Sequence, residues 1–105
     1  MGRYVWPIAG PVDFVWKFVF AKQSSDFGEL LEEACPEFVN RYTSMSGEVV
    51  EVSGPAGEIT RKVGDYIEKM DLHDYDVRML QKFIEAVRQA GDEDELIEAW
   101  FYVEY

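Results

Sequence analysis

Four side chains of the kind that hold metals or move protons fall close together at Asp71, His73, Asp74 and Asp76. Carboxylate oxygens beside an imidazole suit a divalent cation. The chain holds no second histidine, and the spacing misses the calcium-loop pattern, which needs a glycine at its sixth position and a glutamate at its twelfth. A plainer role fits the same residues. Acids in the first turn of a helix face the positive end of its dipole, and His73 or Asp74 suits the cap before it. The expected reading is therefore a helix start, with no metal, cofactor or catalytic residue assigned.

The other reactive residues are more scattered. Cys35 is the one cysteine. A catalytic thiol needs a nearby base, and a zinc site needs several ligands. Neither set accompanies Cys35, so it reads as a small buried hydrophobe. Glu29 with Glu33, or Glu33 with Glu37, would share a helical face only if that helix ran on. Paired carboxylates can cleave glycosidic bonds, but among 21 acids such pairs arise by chance. Ser24, Ser25, Ser44 and Ser46 stand in polar segments with no nucleophile elbow around them. The run GPAG at 54–57 is too short for a phosphate cradle, and no phosphate-loop or dinucleotide fingerprint occurs.

The elements that would position these residues follow from periodicity. Residues 3–8 read as a short strand, with Pro7 pointing to a sheet edge or strand end. Residues 12–21 alternate with a period of two, placing Phe14, Trp16, Phe18 and Phe20 on one face. That aromatic ladder reads as core against a later helix. Asp26 and Glu29 form a capping box before a short helix at 27–35. Pro36 suits the first position of another short helix at 37–42, with Phe38, Val39 and Tyr42 inward. GEVVEVS at 47–53 reads as a strand that turns through GPAG and returns along 58–63, pairing Val52 with Ile59. A rival helix begins near Thr60, since Val63, Tyr66, Ile67 and Met70 keep helical spacing. Residues 74–90 form the clearest helix, with Val77, Leu80, Ile84 and Val87 in one stripe and Gly91 as its stop. Segment 92–105 divides between a helical front, capped by Asp92 and Glu95, and a strand-like WFYVEY at 100–105.

The expected architecture is a single α+β domain over 1–105. It comprises a small antiparallel sheet of four or five strands, packed on one face by one main helix at about 74–90 and by shorter helices. A length of 105 residues and 48% apolar composition suffice for a core. The opening segment lacks the layout of a signal peptide, and the apolar run 14–21 is too short to span a bilayer, so a cytoplasmic setting is expected.

The net charge is −11, unevenly spread. Residues 1–25 carry three basic and one acidic side chain, whereas 26–105 carry seven basic and twenty acidic. Acids concentrate at 65–76 and again at Asp92, Glu93, Asp94, Glu95, Glu98 and Glu104. A chain without a basic stripe does not neutralise phosphates, which disfavours nucleic acid and anionic membrane as partners. It attracts basic protein surfaces instead. The leading expectation is a non-enzymatic binding or inhibitor protein, of immunity-protein or nucleic-acid-mimic type, for a basic partner. The partner-binding candidates are Asp71, Asp74, Tyr75, Asp76, Glu93, Glu95, Glu98, Tyr102 and Tyr105, acids with neighbouring aromatic anchors. The alternatives are a small enzyme or ligand-binding domain with an aromatic-lined pocket, and a structural or assembly subunit. An exposed edge strand at WFYVEY would offer a route to a homodimer.

Overall fold

A computed structural model of the chain describes the backbone of residues 3–9, 20–23 and 27–104 and the side chains of 27–103. In chain order the elements are β1 (Arg3–Ala9), β2 (Phe20–Gln23), α1 (Phe27–Ala34), a single 3-10 turn (Pro36–Phe38), β3 (Val39–Thr43), β4 (Gly47–Pro55), α2 (Ala56–Lys69), α3 (Asp74–Ala90) and β5 (Leu96–Glu104). The protein is a small α+β domain with an antiparallel sheet and several helices. The aromatic positions 14, 16 and 18 of the expected ladder, the Asp26 cap and Tyr105 lie outside the described residues.

In the sheet β4 lies between β3 and β5. Val39 pairs with Val52, and Val52 with Ala99; Val50 joins Arg41 to Phe101 in the same way. Alternation then sorts the strands into two faces. Val39, Val50, Val52, Ile97, Ala99, Phe101 and Val103 are buried beneath the helices. Phe27 of α1, Phe83 of α3 and Phe101 meet edge to face, with ring centroids 5.2–6.1 Å apart. That arrangement suits the ring quadrupole and anchors both helices to the middle of β5. Beside this trio β1 pairs with β5, and β2 with β1, both antiparallel.

Several expectations are corrected. β5 is flanked by β1 and β4, so the WFYVEY segment is a sheet interior and not an exposed edge. A homodimer through that edge loses its premise. β1 is likewise paired on both sides, and Pro7 precedes a register shift between Pro7 and Ala9, the kind of irregularity that accommodates proline inside a sheet. The helix expected at 37–42 is confined to one 3-10 turn, after which Val39–Thr43 extend along β4.

The expected hairpin of 47–53 with 58–63 does not form. β4 continues to Pro55, and α2 begins at Ala56. Gly54 takes φ +156° at the exit from β4, where a Cβ would come within 2.5 Å of the Phe38 ring. The first two amides of α2 then donate to the loop before β5, Ala56 N–H to the Glu95 carbonyl at 2.9 Å and Gly57 N–H to that of Glu93 at 3.0 Å. These bonds satisfy donors that a helix start otherwise leaves open. α2 has 14 residues and α3 has 17, so no single helix dominates. The helix expected at 74–90 is present with the same bounds, burying Leu80, Phe83, Ile84 and Val87. The helical front expected after Asp92 is instead a turn. Glu95 Oε1 accepts from the Asp92 N–H at 3.2 Å, and β5 starts at the next residue.

Candidate functional site

The cluster around His73 resolves into a helix start. The Tyr75 N–H donates to His73 Nδ1 at 3.2 Å, which makes His73 the cap of α3. The two rings stack at 5.2 Å and 6°. Asp71, Asp74 and Tyr75 are exposed there, but Asp76 is only 3% exposed. Asp76 is therefore not a surface contact, because its side chain is buried in the first turn of α3. Among the described residues no three His, Cys, Asp or Glu side chains gather as a metal-holding group.

The remaining reactive groups are tied into packing. Cys35 is buried and its Sγ–H donates to the Leu31 carbonyl at 3.4 Å. Burial, reinforced by the charge of Glu37, pushes the thiol up to about 12, so it is not ionised at neutral pH. Glu33 and Glu37 do not act as a pair. Glu33 Oε2 accepts from the Tyr66 hydroxyl at 2.6 Å, and Glu37 is clasped by Lys62 Nζ at 2.7 and 2.8 Å. The bond from Lys62 holds the Glu37 carboxyl below its usual range. Both contacts pin α1 and the turn after it to α2.

Glu48 carries the deepest charge. Its side chain is fully buried on the helix-covered face of β4. Arg41 grips it with two bonds, Nε to Oε2 at 2.9 Å and Nη2 to Oε1 at 3.2 Å, and extends Nη1 to Glu32 at 3.3 Å. Gly28 makes room, since a Cβ there would lie 2.3 Å from Glu48 Oε1. The pair is a structural tie between α1, β3 and β4.

Two surface regions could engage a ligand. One is a groove of about 710 Å³ between the start of α2, the end of α3 and the 91–94 turn. Arg61 and Arg88 line it together with Glu58, Asp92, Glu93 and Asp94, and no aromatic ring does. It is not the aromatic-walled pocket expected of a ligand-binding domain. Glu93 and Glu95 sit in the adjoining turn, where their carbonyls hold the α2 amides.

The other region is the outward face of β3, β4 and β5. The register sets Asn40, Glu51 and Trp100 in one cross-strand row, and Tyr42, Val49 and Tyr102 in the next. Ser53 and Glu98 form a third. Tyr42 is 55% exposed. Its ring stacks against that of Trp100 across β4, with centroids 6.3 Å apart and planes 18° from parallel. Glu51 Oε1 accepts from Asn40 Nδ2 at 3.2 Å and lies 3.5 Å from the Tyr42 hydroxyl. Glu98 Oε1 accepts from the Trp100 indole N–H at 3.3 Å. Two carboxylates are thus held beside two aromatic rings, and the face offers no Lys or Arg among the described residues of these strands. Arg41, next to Tyr42, belongs to the opposite face.

Of the expected partner-binding residues, this face gathers Glu98 and Tyr102 and leaves Asp71, Asp74, Tyr75, Glu93 and Glu95 on other surfaces. It adds Tyr42, Glu51 and Trp100, which the sequence reading did not select. The sequence reading puts Tyr42 inward on a helix, because Val39 and Tyr42 are three positions apart; on a strand that odd step sends them to opposite faces, so burying Val39 turns Tyr42 outward. No helix among the described residues is long and apolar enough to cross a membrane. Comparison with known proteins finds no match to a family model, to a curated protein or to a solved structure.

Proposed function

We propose that this domain is a non-enzymatic binding or inhibitor protein that engages a basic macromolecular partner through the outward face of β3–β5. In this reading the sheet has four or five strands with the helices packed on one side, which leaves its other side as a platform. The observation that carries the proposal is the joint presence there of Tyr42, Trp100 and Tyr102 with Glu51 and Glu98, with no Lys or Arg on that face among the described residues of these strands. Tyr and Trp give large contact area with few torsions to freeze, and they dominate binding energy at protein interfaces. Carboxylates beside them take the place that phosphates take on nucleic acid, as partners for Lys and Arg. The net charge of −11 adds long-range attraction to a basic surface, which speeds encounter and weakens with salt.

The test is retention of a basic partner by immobilised protein at low and high salt, with two charge variants compared. Glu51→Lys with Glu98→Lys is expected to abolish retention. Glu93→Gln with Glu95→Gln is expected to leave it nearly intact. Loss in the second variant and not the first would move the interface to the 91–95 turn and overturn the proposal.

A further inference from the structure

Resting on that reading of the outward face, we propose that Tyr42 and Trp100, flanked by Glu51 and Glu98, form a subsite for an arginine side chain of the basic partner. The two rings are 18° from parallel and stand across β4 from one another. Each presents an electron-rich face, which attracts a cation, and a planar guanidinium can lie flat on it as an ammonium cannot. A carboxylate stands at the polar edge of each ring, Glu51 at the Tyr42 hydroxyl and Glu98 at the Trp100 indole nitrogen. Glu51 Oε1 is occupied by Asn40 and the Tyr42 hydroxyl, and Glu98 Oε1 by the Trp100 indole. Oε2 of each has no hydrogen-bond partner among the described residues. The forked donors of arginine match free carboxylate oxygens in a way that one ammonium does not.

Two features keep the subsite open to an outside cation. Arg41, the one arginine on β3, is spent on Glu48 and Glu32 beneath the sheet. The rings are set by strand register, because Asn40, Glu51 and Trp100 share one cross-strand row. An incoming side chain therefore meets a surface already arranged, and less order must be imposed on binding.

The experiment compares acetylated tri-arginine with acetylated tri-lysine, peptides of equal charge, against the full chain labelled with nitrogen-15. The Trp100 indole signal, identified by its loss in Trp100→Phe, reports on the subsite, and calorimetry reports affinity. Tri-arginine is expected to shift that signal and to bind about fivefold more tightly than tri-lysine. Tyr42→Leu, at an exposed position that leaves the core intact, is expected to remove the preference, bringing the affinity for tri-arginine down to that for tri-lysine. Equal affinity of the two peptides, weakened by Glu51→Gln and Glu98→Gln, would overturn the arginine subsite and leave the basic-partner face standing. Peptide binding that leaves the Trp100 signal in place would overturn both. A single-stranded oligonucleotide that shifts Trp100 at the concentrations where tri-arginine does would also overturn the subsite, since stacking alone would then explain it.

Discussion

Glu48 and Glu51 stand three positions apart on β4, an odd step that sends them to opposite faces of the sheet. Glu48 is 1% exposed, held by the Nε–Nη2 edge of the Arg41 guanidinium and roofed by Gly28. Glu51 is half-buried, contacted only by an amide and a phenol at its rim. A buried carboxylate has given up its water, so its arginine compensates for that loss and adds little net stability. A carboxylate at the surface keeps its attraction for partners outside the molecule. Identical side chains thus become a structural tie on one face and an outward-facing charge on the other, and the pleat decides which.

The largest expected effect comes from breaking the inner pair. Arg41→Met strips the buried Glu48 of its guanidinium ion pair and is expected to cost about 3–5 kcal/mol in denaturant unfolding. Adding Glu48→Leu should recover most of that loss. A single variant that unfolds at the wild-type midpoint would show that Glu48 does not depend on Arg41.

The outer acid should behave oppositely. Glu51→Gln removes no buried charge, and its stability is expected to stay within about 0.5 kcal/mol of wild type. A cost comparable to that of Arg41→Met would mean that the outward face is structural, which would erase the contrast between the faces.

Glu33 sits between these extremes, exposed yet bonded to the Tyr66 hydroxyl at 2.6 Å. Burial first, and then the bond to Glu33, push the Tyr66 phenol up to about 12 from its ordinary 10.0. The fold therefore favours the neutral phenol. Its contribution is fully present below pH 10 and is lost as the pH rises toward 12. Thermal unfolding of wild type should decline across that window more steeply than that of Tyr66→Phe, by a small margin because the group is largely solvated. Parallel profiles would remove Tyr66 from the balance.

The legibility of the fold tracks how local each decision was. α3 could be read with its bounds because seventeen residues repeat one apolar stripe between a cap at His73 and a stop at Gly91. α2 was misjudged at its start. Pro55, Ala56 and Gly57 resemble a turn, and the carbonyls that turn them into a helix start come from Glu93 and Glu95, far along the chain. The Glu95 side chain does reach back to the Asp92 N–H as a capping box predicts, but the Glu95 N–H donates to the Asp92 backbone carbonyl instead of its side chain, which closes a turn that enters a strand. The same distinction governs the candidate site. Glu98 and Tyr102 were visible as an acid and an aromatic near one another in sequence. Their grouping with Tyr42 and Glu51 depends on the register of three strands, which no local pattern states.

The central place of β5 bears on when the protein can fold. Every other described element precedes it in the chain, yet β1 and β4 reach each other only through it. During synthesis the strands that precede it must wait, their inner edges unpaired, until residues beyond 96 have left the ribosome. Closing the sheet then joins segments almost a full chain apart, which is slow for a protein of this size. Unpaired strand edges of this kind are the condition that favours aggregation.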